Sequence, residues 1–284
     1  MKSFRKSFLS IFFLLTTSLF IVSCGGGGDD GGGGNTPAVQ QGRFVDAAVI
    51  GISYETSSGH TGLTDNSGAF SFATGDTVRF FIGDIEIGVA DAAAVVTPVS
   101  FVADATDEQD PTVTNIVRLL LSCDTDLNIP GIQISEQLRT DATGSNINLD
   151  FTLSAAAFAV SPAVVQTIAI TNNMLPDVTT AQTHLKTTLL SEISGNYMGT
   201  FSGQDSGTFN VNIDTTGNVT GSGFSNAGGG FTVSGTVTSN GQATVTGFAG
   251  LATFSGTISI ANGTFAGNWV NDTDMQSGSF TGRK

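Results

Sequence analysis

Basic side chains are scarce in this chain of 284 residues: ten Lys and Arg stand against 24 Asp and Glu, for a formal net charge of −14 at pH 7. Phosphate backbones are gripped by clustered Lys and Arg. Beyond residue 24 only Arg43, Arg79, Arg118, Arg139, Lys186, Arg283 and Lys284 remain, scattered along the chain. Nucleic acid is excluded as a partner on that ground, and an anionic membrane surface is unwelcoming. Cations, neutral polymers or a basic protein patch are what such a charge permits. Cysteine is nearly missing, with Cys24 and Cys123 alone. Histidine is limited to His60 and His184, and neither has a second histidine within metal-ligand spacing. Charged residues make up 12% of the chain, too few for long solvated helices, and the abundance of Gly, Ser and Thr points to strands and turns. Only Phe8 to Val22 forms a long apolar run, and it falls short of the about 20 residues that a membrane-spanning helix needs.

That run has a basic flank, Lys2, Arg5 and Lys6, and ends on Ile21-Val22-Ser23-Cys24. The combination resembles the lipobox of bacterial lipoproteins. The resemblance implies that residues 1–23 are a cleaved signal and that Cys24 carries the lipid as the first mature residue. It also implies, through Gly25 in place of an acidic residue, transfer to a Gram-negative outer membrane. Loss of the three basic residues takes the formal charge to −17. With Cys24 acylated, Cys123 has no partner, so no intramolecular disulfide forms and the core alone must hold the fold. Residues 24–41 include GGGGDDGGGG, which buries too little apolar surface to order itself. It reads as a tether with a root-mean-square reach of roughly 20–25 Å.

Residues 42–103 read as short strands: Phe44-Val45, Ala48 to Tyr54, Ala69 to Phe72, Val78 to Ile82, Ile85 to Val89 and Val95 to Val99. Asp65-Asn66-Ser67-Gly68 predicts a tight hairpin connection between Gly62-Leu63-Thr64 and Ala69 to Phe72. The stretch with Gly42, Val45, Asp46, Ala47, Val49, Gly51 and Tyr54, then Gly62, Thr64, Asp65, Gly68, Phe70, Phe72 and Gly75, resembles the carboxypeptidase regulatory-like, or transthyretin-like, β-sandwich. That resemblance implies a stalk or binding module without catalysis. Residues 104–194 then turn helical. Asp110 as N-cap and Pro111 at the first helical position start a helix with Val113, Ile116, Val117 and Leu120 on one face. Ser161-Pro162 starts another that ends near Asn172-Asn173. Asp177 to Ser194 forms a third, with Ala181, Leu185 and Leu189 on one face, and a short turn lies around Ser135 to Arg139.

From residue 195 to 284 the period becomes two. Tyr197/Gly199/Phe201, Phe209/Val211/Ile213, Phe231/Val233/Gly235/Val237, Val245/Gly247, Phe254/Gly256/Ile258, Phe265/Gly267/Trp269 and Phe280/Gly282 alternate with Ser, Thr and Asn, as half-buried antiparallel strands do. A weaker strand at Asn218 to Ser222 brings the expected count to eight, an antiparallel β-barrel or meander. Asn240-Gly241 and Asn262-Gly263 predict hairpin turns with positive φ at both central residues. The Phe-x-Gly repeats resemble the small barrels of surface lipoproteins such as transferrin-binding proteins. The expected fold class is therefore mainly β with a helical segment: sandwich, small helical region, C-terminal eight-stranded barrel or meander.

Catalytic constellations are absent. Gly203-Gln204-Asp205-Ser206-Gly207 superficially resembles a serine-protease nucleophile turn but has no matching histidine, and reads as a polar turn. His184 is expected on a solvated helix face. Asp124, Asp126 and Asn128 place oxygens at alternate positions, as a calcium loop begins, yet Ile129 and Ser135 stand where Gly and Glu are needed. These residues suit either a weak calcium site or a helix-ending Asx turn. Cys123 reads as a small buried apolar residue. Trp269 and Phe265 read as core, or as a sugar-stacking platform if exposed. The expectation is a non-enzymatic, lipid-anchored cell-envelope protein acting as a surface binding or structural module. Its partners would be the membrane, through the lipid at Cys24, and an envelope protein or polysaccharide. An accessory subunit docking on an outer-membrane complex, or a hydrolase with an unrecognised site, are the alternatives.

Overall fold

The computed structural model describes residues 38–284. The expected signal, Cys24 and most of the Gly-rich tether lie outside the described residues. Eight short strands come first: β1 (Val39–Phe44), β2 (Val49–Ile50), β3 (Ser53–Thr56), β4 (Thr61–Leu63), β5 (Ala69–Ala73), β6 (Thr77–Ile82), β7 (Ile85–Asp91) and β8 (Val95–Val96). They form two sheets, β5-β1-β8 and β4-β3-β6-β7, and β2 pairs in parallel with β9 (Ile132–Gln133). Apolar residues at alternate positions, Val78, Phe80 and Ile82 on β6 with Ile85 and Ile87 on β7, bury one face. Rings close the gap between sheets: Phe44 of β1 stacks on Phe80 of β6 at 4.4 Å, and Phe70 of β5 meets Phe80 edge-on at 5.3 Å.

Two sequence expectations change here. Val39 to Gln41, placed in the tether by composition, are strand, because β1 pairs with β5 from Val39↔Ala73 onward. The Asp65 to Gly68 turn exists, with Gly68 at φ 77° and Asp65 Oδ1 accepting from the Ser67 and Ala69 amides. It joins no hairpin, however: β4 belongs to one sheet and β5 to the other, so the turn carries the chain across the sandwich. Local turn chemistry fixes a reversal and leaves open which neighbour each strand then finds.

Helices α1 (Pro111–Ser122), α2 (Glu136–Ala142), α3 (Ala155–Val160), α4 (Pro162–Thr171) and α5 (Val178–Ile193) follow. Asp110 caps α1 by accepting from the Thr112 and Val113 amides. The expected turn near Ser135 is the helix α2, capped by Ser135, and α3, capped by Ser154, stands where no helix was expected. Ile116, Leu119 and Leu120 of α1 join the sandwich core, while its Val113 and Val117 pack with Ala181, Leu185 and Leu189 of α5. Buried on both sides, α1 also buries Arg118, whose guanidinium donates to the carbonyls of Pro176 and Ala155 and to Asn115 Oδ1. Three oxygens satisfy a charge that would otherwise be costly to bury.

The remaining strands are β10 (Gly195–Gly203), β11 (Gly207–Ile213), β12 (Asn218–Ser225), β13 (Gly229–Val237), β14 (Gln242–Gly247), β15 (Ala252–Ile258), β16 (Thr264–Asn271) and β17 (Gln276–Arg283). Each pairs antiparallel with the next, and β17 pairs back onto β10, which closes the barrel. Inward positions carry Tyr197, Phe201, Phe231, Phe254, Trp269 and Phe280 among smaller apolar residues. These rings lie against glycines of adjoining strands: a Cβ at Gly256 would sit 2.7 Å, and one at Gly282 2.8 Å, from the ring tips of Phe280 and Phe209. The turns differ in type from expectation. Gly241 and Gly263 have positive φ but Asn240 and Asn262 do not. At the first, Gly241 donates to the Thr238 carbonyl and Thr238 to that of Gln242, the hydrogen bonding of a type I turn closed by a left-handed glycine.

Gly223 and Gly230 offer a matched test of the ring-over-glycine packing. A Cβ at Gly223 would strike the Phe231 ring, whereas one at Gly230 has no neighbour within 4 Å, and neither backbone needs positive φ. Gly223→Ala should cost about 1–3 kcal/mol, the usual penalty of overpacking. Gly230→Ala should be near neutral. Urea unfolding followed by β-type circular dichroism compares them, and equal midpoints would remove the packing argument.

Candidate functional site

The barrel interior is full. A void of about 20 Å³ inside it is walled by apolar side chains such as Phe209, Phe254 and Phe280, space for little more than one water. Ligand chemistry must therefore take place at the ends or on the wall. One end is occupied by the chain itself. There Lys284 Nζ donates to the Glu192 carbonyl at 2.9 Å, the Tyr197 hydroxyl to that of Ile193 at 2.7 Å, and a cleft of about 340 Å³ lies between Ile258 and Ile260 of the barrel and Val99, Val102 and Leu189.

No other described segment covers the opposite end, and it is the candidate site. Four loops form it: 204–206, 226–228, 248–251 and 272–275. Phe201, Phe254 and Trp269 floor a recess of about 250 Å³, and Phe248, Leu251, Asp205, Asp274, Asn271 and Gln276 rim it. Asp205 builds the rim, with Oδ2 accepting from Ser225 Oγ at 2.6 Å and Oδ1 from the Ser206 and Ala227 amides. The Gly203 to Gly207 segment is thus a braced turn, and Ser206 Oγ accepts from Asn226 Nδ2. Phe248 at φ 51°, Ala249 at 55° and Met275 at 52° all hold left-handed backbone in these loops, a conformation that costs energy away from glycine and gathers at functional sites. Large apolar side chains stand in water beside them: Met275 is 86%, Phe224 56% and Leu251 53% exposed. The early turn at Phe248 also ends β14 at Gly247, opposite Val233, so among the described residues Gly229 to Thr232 of β13 run on without a strand partner on that side. Sequence reading missed this site. Its one signal was Phe248-Ala249-Gly250-Leu251, an apolar run at a loop position that breaks the alternation.

Most residues singled out from sequence lie elsewhere. Trp269 is buried, its indole N–H donating to the Ser202 carbonyl at 3.1 Å, and Phe265 is buried among the barrel rings, so neither is an exposed platform. Cys123 is buried, and desolvation pushes its thiol up to about 12, far from a reactive thiolate. Asp124 Oδ1 accepts from the Asp126 and Gln133 amides, and Asp126 Oδ1 accepts from the Asn128 amide. Two Asx turns in succession use those oxygens. His60 lies in the β3–β4 turn, where its amide donates to Thr56 Oγ1.

His184 departs from its expected solvated face. Asp46, with no exposed surface, sits in the turn between β1 and β2, and Oδ1 and the carbonyl oxygen of Asp46 each lie 3.2 Å from His184 Nε2 on α5. Next to it, Ala47 holds φ at 52° and donates its amide to Thr188 Oγ1 of the same helix. Burial pushes Asp46 above the usual carboxylate range even with the histidine beside it. Burial pulls His184 down, but the Asp46 contact, aided by Asp124, outweighs it and leaves the imidazole raised. A lone aspartate in the apolar stretch Phe44 to Ile50 was the available signal, since a carboxylate there needs a partner.

Two predictions follow from these groups. His184 and Asp46 are both raised, so the folded state holds their protons more tightly than the unfolded chain. The His184 contribution is complete below its unfolded value, about 6.5, and is lost as pH rises through that of folded His184, whereas the Asp46 contribution is complete only below its unfolded value, about 4, and is lost as pH rises through that of folded Asp46. Asp76, lowered chiefly by the Ser58 hydroxyl, and Asp214, lowered chiefly by Thr216, act oppositely: their stabilisation is present above the unfolded value near 4 and lost on acidification. The urea midpoint should rise from pH 9 to about 6 and fall below about 4. In Asp46→Asn/His184→Gln the upper rise should vanish. Separately, Asp124→Ala strips two amides of their acceptor and should lower stability by about 1–2 kcal/mol. The loss should be the same in EDTA and in millimolar Ca²⁺ if turn bracing is the role, and larger in Ca²⁺ if the loop binds the ion.

No family model matches the chain, and no curated protein matches it.

Proposed function

We propose that this protein is a lipid-anchored, non-catalytic component of the cell envelope that acts as a surface binding module. The observation that carries the binding role is the barrel mouth, where Leu251 lines a recess rimmed by Asp205 and Asp274, and Phe224 and Met275 at the same end are also exposed to solvent. Exposed apolar side chains gathered at one end of a polar barrel mark an interaction surface. The anchor rests on the lipobox-like Ile21-Val22-Ser23-Cys24 and its basic flank. Outward wall positions support a barrel standing in water: Asn196, Thr200 and Ser202 on β10, Thr208, Asn210 and Asn212 on β11, and Thr232, Ser234 and Thr236 on β13 are exposed. A membrane barrel reverses this, with an apolar outer band and a polar interior. Lipid at Cys24, rather than strands, would then hold the protein to the membrane.

The apolar rim also favours a second reading, in which the protein is an accessory subunit docked by this mouth on an envelope complex. Crosslinking in membranes and recovery of one stoichiometric partner would select that reading, and recovery of the protein alone the first. Anchoring has its own test. Wild type should sediment with membranes and need detergent for release, and Cys24→Ser should appear in the soluble fraction or as uncut precursor. A soluble wild type with an unmodified Cys24 would end the lipoprotein reading.

A further inference from the structure

We infer that this barrel mouth takes up an extended basic polypeptide segment, which adds as a strand along Gly229 to Thr232. The inference rests on the reading of this chain as a binding module and names the partner's chemistry. Closing a barrel normally leaves no strand edge. Here β14 stops at Gly247 while β13 continues for four more residues, Gly229 to Thr232, paired among the described residues only to β12. Along such an edge alternate residues direct N–H and C=O groups to the open side. The repeat of donors and acceptors along an incoming strand is what matches them. Phe248 and Leu251 line the notch beside this edge together with Gly230 and Thr232. Every second side chain of an added strand would have apolar surface to cover.

Charge decides what kind of segment fits. The four loops of this mouth carry Asp205, Asp272 and Asp274 and no Lys or Arg. The barrel's own bases, Arg283 and Lys284, lie at the opposite end, where Lys284 meets the Glu192 carbonyl. A second copy of this chain would set acidic loops against acidic loops, and among 24 acids it has few bases to offer. A foreign segment with Lys or Arg alternating with apolar residues meets both demands, and rim charges of this kind speed encounter and select the partner.

The test uses the full-length protein in detergent and a ten-residue synthetic peptide of alternating Lys and Val. Trp269, the only tryptophan, floors the recess and reports binding by its fluorescence. The Lys/Val peptide should saturate, lose affinity with added salt, and slow amide exchange at Gly230 to Thr232. A Glu/Val peptide, and a Lys/Val peptide with prolines that block strand pairing, should bind about tenfold more weakly or not at all. Asp272→Asn/Asp274→Asn and Leu251→Ser should each weaken the Lys/Val peptide by about tenfold while keeping a cooperative β-type melt. Gly230→Pro should do the same by spoiling the edge. Equal binding of the proline-containing peptide would assign the effect to diffuse acidity and overturn the proposal. So would unaltered affinity in the Asn and Ser variants, protection at other amides, or saturation by dextran in place of peptide. Membrane partition of Cys24→Ser is a separate readout, so failure of the anchor and failure of this site are told apart.

Discussion

Rings lying over glycines set the character of the C-terminal barrel. Eight strands enclose a space just wide enough for side chains to fill, and here aromatic residues fill it. That works only where the wall opposite each ring lacks a Cβ. Gly256 and Gly267 make room for Phe280, Gly282 for Phe209, and Gly223 for Phe231. Glycine weakens a strand taken alone, so the aromatic cover and the small residue stabilise only as a pair, as in the aromatic rescue of sheet glycines. The result is a solid plug. With an inner void of about 20 Å³, the loops at the ends and the outer wall are the surfaces that offer recognition.

The same pairing explains why so much of the barrel was legible in the sequence. Inward and outward residues alternate without interruption, and the Gly/aromatic set marks the inner face, so strand number and fold class could be read from period alone. Helix starts were legible for the same local reason: Asp110, Ser161 and Asp177 each bond an amide of the first turn. What stayed hidden depends on contacts distant in sequence. The Asp65 to Gly68 turn and a hairpin turn share one hydrogen-bond pattern, and only the sheet that β5 joins separates them. Asp46 and His184 are 138 residues apart, and no local pattern announces that the two meet. Arg118 belongs to a helix that looked one-sided, until α5 covered its second face.

Basic residues, few as they are, serve mostly to tie one element of the chain to another. Arg43 grips Glu192 at 2.8 Å and ties β1 to α5, Arg118 ties α1 to the first residue of α3 and to the segment before α5, and Arg139 reaches the carbonyls of Gly51 and Ile134. Lys284 ties the end of the barrel to α5. Each of these draws positive charge toward the sandwich and helices. None reaches the other mouth, so the acids there keep their field undiminished by neighbours of opposite sign.

Three features at that mouth then have one origin. Phe248 and Ala249 adopt left-handed backbone in succession, and this turns the chain off the barrel wall after Gly247. Turning early leaves the end of β13 uncovered, brings Leu251 into water, and folds Phe248 onto Phe231 with ring centroids 4.0 Å apart. The stacked ring stabilises a conformation that the backbone alone disfavours. A longer β14 would have sealed the wall at no cost in strain. An open edge carries a risk of uncontrolled strand pairing, which the two glycines at its start and the acidic loops beside it limit. Strain, exposure and charge thus converge on a few residues of one rim, while elsewhere the barrel strands keep their inward and outward alternation.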